Sequence, residues 1–547
     1  MTTSALPSFF LLSLSLFFPF AESAVAAPAE ASAAVAAVPA ESAPLRISLR
    51  QRVTSDWKED KPGLMLVSRV EDWKPAETAI IVCDMWDKHW CTNCTARVAE
   101  MAHALDATLA AAREKGVLIV HAPSECMGAY ADAPQRAVAL KYSRLAQTRE
   151  VAQSGQPLAS EKGRHFPIDA NDGGCDCPKK CKVGYIWKKE IPTIRIAPQD
   201  IISDSGNELY HLFRERGVKN VVLTGVATNM CIMARPFGLR VMKRAGFNVA
   251  LMRDMTDVMY NPARPPRVNH FSGLDLMVEY IESYVCPTLV SSDFTGKKQF
   301  RFKEDTRKRI AFLMAEGEYH ANQRLPEFAR ELVLKNYSCD FAIGVPKMNG
   351  PGRHNLENLQ ILEDANLAVL FVRRRALPPE KMALVKNYFA SGRPVLGLRT
   401  STVAFDAAGT VPKSGGNVRA AGGKVAPELV QWKELDRDIW GGNYKGHYEH
   451  RKDGTDITIL AGAENHPLLK GVTPFNSLNW LYKNAPLRST KARVLLQGWN
   501  PKRPPEPVFW TNGDNVIYTS LGHWRDWDIP SFKNLMFNSV NYLLKQP

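Results

Sequence analysis

Short apolar runs alternate with amphipathic helical segments along this chain, and this alternation sets the fold class. The first series has apolar runs at 79–83, 117–121, 221–224 and 248–252, with helical segments between them, the longest near 95–115. Runs of this kind are typical of parallel strands that helices cover on both faces. The pattern predicts an α/β fold whose site lies outside the carboxyl ends of the strands.

A second series of the same kind follows a charged stretch. It starts with the apolar run 310–315, continues through a helix near 325–336 and strands at 367–372 and 394–398, and closes with a helix near 531–544. The two series share an architecture but no motif that aligns. We therefore predict two doubly wound parallel-sheet domains in tandem, each a Rossmann-like three-layer unit.

The N-terminus predicts export. Residues 9–20 form an apolar run that is too short to span a bilayer comfortably, and Ala24-Val25-Ala26 follows it. This pattern is typical of a cleaved signal peptide, although the absence of Lys or Arg before the run leaves an uncleaved membrane anchor open. The predicted divisions are a signal peptide at 1–26, a flexible tether and N-terminal extension at 27–74, the first domain at 75–296, a linker at 297–308 and the second domain at 309–547. We expect a periplasmic or secreted protein.

The composition limits the classes of partner that we expect for this protein. The chain has 547 residues with 45% apolar and 23% charged side chains, which suits globular domains. Its net charge is +14, but the basic residues are scattered and form no dense run with interleaved aromatics, so we expect no nucleic-acid partner. The expected partner is a small-molecule substrate, and a homo-oligomer stays open.

Five of the ten cysteines fall in two loops, Cys91 and Cys94 in one and Cys175, Cys177 and Cys181 in the other. In an oxidising compartment, clusters of this kind usually form disulfides, and we predict disulfides here. The alternative is a zinc site, for which Cys91-x-x-Cys94 and Cys175-x-Cys177 could supply four ligands only if the two loops meet.

The segment 221–231, VVLTGVATNMC, runs from an apolar strand through a glycine turn into a helix that starts with Cys231. A helix N-terminus favours a thiolate and lowers the pKa of a thiol. Asp84 follows the apolar run 79–83 and should project into the same crevice. A carboxylate beside a thiol can accept its proton, so the pair is a candidate nucleophile and general base.

These residues resemble the isochorismatase-like cysteine hydrolases over about 75–287. The resemblance rests on IIVCD ending at Asp84 and on the GVATNMC turn. It implies a catalytic lysine, which is Lys188 or Lys189 in IWKKEIPTI, with Lys188 favoured by counting back from the apolar segment. It also implies a cis peptide between Val226 and Ala227 and an oxyanion hole formed by the N–H groups of Ala227 and Cys231.

The implied reaction is cleavage of an amide or related C–N bond through a thioester. Isochorismate cleavage fits less well, because the family members that perform it do not use the cysteine. Some relatives bind a metal through an Asp-x-His pair, which this sequence lacks, and a lone His121 at a strand end is typical of packing or hydrogen bonding. We therefore expect no catalytic metal and no cofactor.

The second half resembles the ThuA-like, trehalose-utilisation family, whose fold is that of class I glutamine amidotransferases. The resemblance rests on the order of LMAEGEYH, GRPVLGLRT, GGNYKGHYEH, AENHPLLKGV and YTSLGH. After the strand PVLGL an amidotransferase presents a cysteine, whereas this chain presents Arg399 and Thr400, which excludes glutaminase chemistry. The ThuA-like pattern commonly has histidine at the position of Arg399, so the chain departs from that pattern too.

The second domain therefore offers a candidate pocket, formed by His320, Arg399, His447, His466 and His523. Arg399 suits binding of a sugar-like or anionic ligand, and its alternative partner is a structural acid such as Glu316 or Glu318. The histidines are candidate sugar or metal ligands, or each bonds a local loop. The leading hypothesis is an exported hydrolase with a carbohydrate-related companion domain, and the alternative is an inactive small-molecule or sugar-binding protein built on both domains.

Overall fold

The computed structural model describes residues 43–545 except 56, 58–61, 347–351, 408–409, 414–415 and 420–427. The predicted signal peptide and all but the last two residues of the predicted tether at 27–44 lie outside this part of the chain. Within it, no helix combines the length and the apolar character needed to cross a membrane.

The first sheet has eight strands in the order β2-β1-β8-β7-β6-β3-β4-β5. Six of them, β3 to β8, are parallel, and β1 pairs antiparallel with both β2 and β8. The strands are β1 (Leu45–Thr54), β2 (Leu64–Trp73), β3 (Thr78–Cys83), β4 (Leu118–Ala122), β5 (Ile201–Ile202), β6 (Asn220–Val226), β7 (Asn248–Asp257) and β8 (Thr288–Leu289).

Helices cover both faces of this sheet. Along β3, Ala79 and Ile81 belong to one apolar cluster and Ile80 and Val82 to the other, and all four are fully buried. A strand buried on both faces has no polar side to alternate with, which explains its continuous apolar sequence. The helices of this domain are α1 (Thr92–Glu114), α2 (Pro134–Leu140), α3 (Arg149–Ala152), α4 (Gly206–Glu215), α5 (Cys231–Ala234), α6 (Leu239–Arg244), α7 (His270–Tyr284) and α8 (Ser292–Thr295).

The hairpin β1–β2 belongs to the sheet, although the sequence analysis placed the start of this domain at residue 75. Leu45, Ile47 and Leu49 alternate into the core of the first domain. On the other strand, Leu66 packs into the core of the second domain, and its carbonyl accepts a hydrogen bond from Asn322 Nδ2 at 2.9 Å. The hairpin therefore links the two domains.

The second sheet has nine strands in the order β10-β9-β11-β12-β19-β18-β17-β15-β16. A separate two-stranded hairpin is formed by β13 and β14. The strands are β9 (Arg309–Ala315), β10 (Ser338–Ile343), β11 (Leu367–Val372), β12 (Val395–Leu398), β13 (Thr410–Lys413), β14 (Gly416–Arg419), β15 (Thr455–Ile459), β16 (Phe475–Ser477), β17 (Ala492–Trp499), β18 (Glu506–Asn512) and β19 (Val516–Thr519), and the helices are α9 (Ala321–Leu334), α10 (Pro379–Ala390) and α11 (Pro530–Leu543).

Both sheets contain the predicted parallel strands, and each also has antiparallel strands at one side, so both sheets are mixed. In the second sheet β9 to β12 and β19 are parallel, and β15 to β18 pair antiparallel with their neighbours. The described connections between β15 and β19 hold no α-helix. The connections β17–β18 and β18–β19 are short, and strands joined by short connections pair antiparallel because parallel neighbours need a long crossover. The α/β, two-domain architecture itself is confirmed.

Candidate active site

Asp84 lies at the carboxyl end of β3, where the backbone turns with a φ of 50°. Its side chain is fully buried. Oδ1 accepts a hydrogen bond from the backbone N–H of Ser124 at 2.8 Å, and Oδ2 accepts one from Nε of Arg235 at 3.0 Å. Both carboxylate oxygens are therefore fixed by donors from different segments, and the carboxylate has one orientation.

Cys231 is the first residue of α5 and follows the turn after β6. Gly225 starts this turn with a φ of 102°, and a Cβ there would lie 2.1 Å from the carbonyl oxygen of Cys83. Only glycine permits this approach of β6 to β3, which brings the two strand ends together. The Cys231 thiol lies close enough to the Asp84 carboxylate for the charge of Asp84 to act on it, and both residues line one cavity. The structure thus joins the two residues that the sequence analysis paired.

The electrostatics differ from the sequence expectation. Burial and then the charge of Asp84 raise the pKa of the Cys231 thiol to about 12, against the opposing effect of Arg235. Burial also raises the pKa of the Asp84 carboxyl, although Arg235 and the hydrogen bonds from Cys231 and Ser124 oppose the shift. The expected lowering by the helix N-terminus is wrong for this state. The helix α5 has only four residues, so its dipole is short, and a carboxylate stands beside the thiol.

The cation of the site is Arg235, a residue that the sequence analysis did not select. Its Nη1 also donates to Oε1 of Glu125 at 3.2 Å. Lys188 and Lys189 are exposed, and neither lines the cavity that contains Asp84 and Cys231. The structure therefore does not bring the predicted Lys188 to the pair. The spacing of four residues between Cys231 and Arg235 was the available signal, since it spans one helical turn.

The turn before Cys231 is held by the end of β7. The Val226–Ala227 peptide is cis in the structure, the geometry that the family resemblance implies. Thr228 donates its backbone N–H to the carbonyl of Asp257 at 2.8 Å, and Asn229 exchanges two hydrogen bonds with the backbone of Met259, each 2.9 Å long. The N–H groups of Ala227 and Cys231 lie in this fixed turn.

A cavity of about 250 Å³ lies over Asp84 and Cys231. Aromatic rings form much of its wall: Trp86 and Trp187 stack with centroids 4.2 Å apart, and His89 lies parallel to Trp187 at 5.7 Å. Burial lowers the pKa of His89 to about 4, so this ring is neutral near pH 7. The space therefore suits a small and flat molecule. The wall also includes Trp90, Tyr185, Met230, Arg235, Asp257 and Met259.

His121 is a buried hydrogen-bonding residue, one of the two roles expected for it. Its Nδ1 lies 2.7 Å from Oε2 of Glu190 and its Nε2 lies 3.0 Å from Oδ2 of Asp200. Burial alone would lower its pKa, but the two carboxylates raise the pKa to about 9. His121 is therefore an imidazolium between two acids at neutral pH, a state that does not ligate a metal.

The predicted disulfides are absent. All ten cysteines lie in described parts of the chain, and all ten are free thiols. The two cysteine loops do meet: Sγ of Cys91 and Sγ of Cys177 are 3.6 Å apart, well beyond the roughly 2.05 Å of a disulfide bond. Sequence spacing could not show this contact, because the loops are about 85 residues apart along the chain.

In the second domain the predicted histidines separate into two places. His320 stacks between Trp57 and Trp524, with ring centroids 3.8 and 5.4 Å away, and His523 lies beside Trp524 at 5.0 Å. His447 lies beside Trp480, with ring centroids 4.2 Å apart and the ring planes tilted by 60°, and the charge of Arg399 acts on both His447 and His523. His466 instead caps the turn Pro467–Leu469 and faces α11, so it does not join this group.

Arg399 follows β12 with a φ of 46° and is fully buried. Its Nη1 donates to the carbonyls of Trp480 and Ser520 at 2.9 and 2.7 Å, and its Nη2 donates to the Tyr319 hydroxyl at 3.2 Å. The guanidinium also stands over the ring of Tyr482 at 4.0 Å. Arg399 therefore holds the fold together and is not free to clamp an anion, which corrects the predicted binding role.

The suggested structural acids are also not its partners. The Glu316 carboxylate accepts the backbone N–H groups of Glu318 and Tyr319 at 2.6 and 2.8 Å, and Glu318 forms an ion pair with Arg373. The predicted pairing of Arg399 with Glu316 or Glu318 is therefore wrong. The structural role predicted for Arg399 in that alternative agrees with its contacts.

Among the comparisons with known proteins, only the comparison with solved structures finds proteins similar to this chain. No family model matches the sequence, and no curated protein matches it. A ThuA-like protein from Parabacteroides merdae is 13% identical at a TM-score of 0.29, over 44% of this chain and 91% of that one.

Two further solved structures bear on the other resemblance. A cysteine hydrolase from Pseudomonas syringae pv. phaseolicola is 17% identical at a TM-score of 0.25, over 40% of this chain and 91% of that one. An isochorismatase family protein from Burkholderia thailandensis is 12% identical at a TM-score of 0.24, over 40% of this chain and 95% of that one. The chain is therefore similar to ThuA-like and isochorismatase-like proteins.

Proposed function

We propose that the first domain is a cysteine hydrolase that cleaves an amide or related C–N bond of a small molecule. One observation carries this proposal: the Cys231 thiol and a buried carboxylate that two donors hold in place line the same cavity, close enough for the charge of Asp84 to act on the thiol. A buried carboxylate beside a thiol is costly in a purely structural role, since each disfavours ionisation of the other.

Asp84 acts as the general base and Cys231 as the nucleophile. As the sulfur bonds the substrate carbonyl carbon, the thiol proton passes to Asp84, and the carboxylic acid then gives that proton to the leaving nitrogen as the C–N bond breaks. Water attacks the thioester, Asp84 takes a proton from it, and this proton returns to the sulfur as the acid product leaves. Each cycle consumes one water and restores both groups.

The turn after β6 supplies the electrostatic part of the mechanism. We assign the backbone N–H groups of Ala227 and Cys231 to the developing oxyanion, as the resemblance implies. The hydrogen bonds of Thr228 and Asn229 to the end of β7 support this role, because they fix the turn before the substrate arrives. Fixed donors stabilise charge in the transition state without reorganisation.

Arg235 takes the place that the resemblance gives to a lysine. Its guanidinium lies 3.0 Å from Asp84 and stands over the ring of Trp86 at 5.9 Å. The positive charge lowers the pKa of Asp84 against the effect of burial, and it stabilises the thiolate that forms during attack. Arginine stays protonated at every pH at which the enzyme works, so it cannot itself serve as the proton acceptor.

The cavity limits the substrate class. A volume of about 250 Å³ with stacked aromatic walls accepts a small planar amide, urea or carbamoyl compound. Glu125 reaches Arg235 at the rim, so an exposed carboxylate faces the entrance and disfavours anionic substrates.

A panel of small amides, ureas and carbamoyl compounds tests the proposal with the full chain. We expect turnover of at least one compound, with the mass of an acyl-enzyme on the peptide that contains Cys231 in quenched samples. Binding of a panel compound by calorimetry without any turnover would instead favour the inactive binding protein. Cys339→Ala, which removes a thiol from β10 of the second domain, is the matched control for variants of Cys231.

For the second domain we propose a carbohydrate-related ligand surface around His320 and His523. Trp57, Trp524 and Trp480 supply flat faces beside these histidines, and such faces suit sugar rings. Burial and the nearby charge of Arg399 lower the pKa of His523 to about 3, which leaves it a neutral hydrogen-bonding group. Calorimetry of the full chain with neutral sugars and sugar acids tests this surface, with His523→Ala expected to lose binding and His466→Ala expected to keep it.

A further inference from the structure

The two cysteine loops form one cluster next to the active-site cavity. Cys91 immediately precedes α1, and Cys175, Cys177 and Cys181 belong to the loop after residue 173. The Sγ atoms of Cys91, Cys175 and Cys177 lie within 4.8 Å of one another. Cys181 adjoins this trio through Thr92, whose hydroxyl lies 3.9 Å from the Cys181 sulfur and 3.1 Å from the Cys177 sulfur.

The spacing of the sulfurs matches a tetrahedral metal site. Four thiolates at the usual Zn–S bond of roughly 2.3 Å stand about 3.8 Å apart around the ion. The separation of Cys91 and Cys177 is 3.6 Å. Thiols in ordinary packing have no reason to converge three at a time from segments so distant in sequence, whereas a shared ion gives them one.

We propose that Cys91, Cys175, Cys177 and Cys181 bind one Zn²⁺ ion in a structural site. Four thiolates complete a tetrahedral shell and leave no open position, so the ion has no place for a substrate or an activated water. The site is therefore distinct from the catalysis proposed for Cys231 and Asp84.

The surroundings of the sulfurs suit thiolates. The backbone N–H of Asn93 donates to the Cys177 sulfur at 3.4 Å, and the Thr92 hydroxyl lies 3.1 Å from the same atom. Both donors belong to the first turn of α1, whose N-terminus favours negative charge. Three exposed lysines flank Cys181 and offset the charge of a four-thiolate zinc site: Lys179, Lys180 and Lys182.

The fourth ligand is Cys181 rather than Cys94. Cys94 also adjoins Cys91, but its thiol is engaged in the buried wall of the cavity, 3.3 Å from Sδ of Met259 and 3.6 Å from Nη2 of Arg97. Cys181 is partly exposed, and its Sγ lies 3.9 Å from the Thr92 hydroxyl that also contacts Cys177. Rotation of one side chain brings it to the trio without disturbing a packed core.

The ion would hold one wall of the candidate active site in place. Gly173, Tyr185 and Trp187, from the loop that carries these cysteines, line the cavity over Cys231. Asp176 accepts Nη1 of Arg97 at 2.7 Å, and Nε of Arg97 reaches Asp257 of the cavity wall at 2.7 Å. A zinc ion bound between this loop and α1 would therefore fix the position of the aromatic wall.

Metal analysis of the full chain tests the proposal without any substrate, so its failure is separate from a failure of the proposed hydrolase activity. We expect close to one zinc per chain by elemental mass spectrometry after extensive dialysis. Exchange with Co²⁺ should give the intense visible absorption of a tetrahedral thiolate site. Zinc well below one per chain in protein grown with zinc, or a cobalt spectrum without thiolate charge transfer, would overturn the proposal.

Single variants test the ligand assignment. Cys177→Ser and Cys181→Ser should each lower the zinc content severalfold, whereas Cys94→Ser is the matched control and should keep it. A Cys181→Ser protein that keeps its zinc while Cys94→Ser loses it would overturn the choice of Cys181. Peptide mapping under non-reducing conditions that joins Cys91 to Cys177 by a disulfide would overturn the metal site itself.

Discussion

The guanidinium of Arg235 bonds the carboxylate of Asp84 through Nε at 3.0 Å, from the turn that follows the candidate nucleophile. One helical segment thus carries both Cys231 and the cation that holds its base. Because the cation, the carboxylate and the thiol are coupled, a change in any one of them alters the pKa of the others. The predictions for the first domain follow from this coupling.

Cys231→Ala should lower turnover by at least about 10³-fold, because no other group can form the thioester. The residue is partly exposed at the start of a four-residue helix, so the variant should unfold at nearly the wild-type temperature. Steady-state kinetics and thermal unfolding together check this. Undiminished turnover in Cys231→Ala, with Cys339→Ala as the control, would contradict the assigned nucleophile.

Asp84→Asn should have opposite effects on turnover and on thiol reactivity. The carboxylate raises the pKa of Cys231, so its removal leaves Arg235 to favour the thiolate and lowers that pKa from about 12. We expect iodoacetamide to label Cys231 slowly in the wild type near pH 7 and faster in Asp84→Asn, while turnover falls. Peptide mapping over time measures the labelling. Slower labelling in the variant would contradict the coupling of Asp84 to the thiol.

Arg235→Ala should shift the acid limb of the kcat/KM profile to higher pH. Arg235 lowers the pKa of Asp84 against the effect of burial, so the base of the variant takes up its proton at a higher pH. An opposite charge at this distance typically accounts for about 1–3 pKa units. Arg235→Lys retains the charge and should restore much of the wild-type profile. An unchanged acid limb in Arg235→Ala would show that the base is not Asp84.

The His121 ion pairs should make stability depend on pH. The folded pKa of about 9 lies above the roughly 6.5 of an unfolded histidine, so the stabilisation is complete below about pH 6.5 and is lost as pH rises through about 9. The loss should be on the order of 3 kcal/mol in the free energy of unfolding. Urea unfolding across this range measures it, and a His121→Gln variant with the same pH dependence would argue against this origin.

Arg399→Ala should destabilise the second domain rather than change ligand affinity alone. The variant leaves the carbonyls of Trp480 and Ser520 and the Tyr319 hydroxyl without their buried donor. Each unsatisfied group costs about 1–3 kcal/mol, so a loss of about 3 kcal/mol or more is expected. Arg437→Ala removes an exposed ion pair with Asp438 and should change stability by less than about 1 kcal/mol. Urea unfolding of both variants measures the two changes in the free energy of unfolding.

Much of the fold could be predicted because local patterns dictate it. The apolar run that became β3 and the Ala-rich stretch that became α1 have bounds within a few residues of the predicted ones. The hairpin β1–β2 was missed although Leu45, Ile47 and Leu49 alternate with polar residues, because its burial depends on two domains at once. Whether a strand joins either sheet in the antiparallel direction depends on the length of its connections rather than on the residues of the strand itself.

The sequence by itself determined that Asp84 and Cys231 come together, because each follows a buried strand and parallel strands end at the same edge. Only the tertiary structure decided which cation serves them. Arg235 reaches Asp84 across a chain separation of 151 residues, while the expected Lys188 stays at the surface. It likewise decided the roles of Arg399 and of the cysteines, since carbonyl partners and meeting loops are set by packing between segments far apart in the chain.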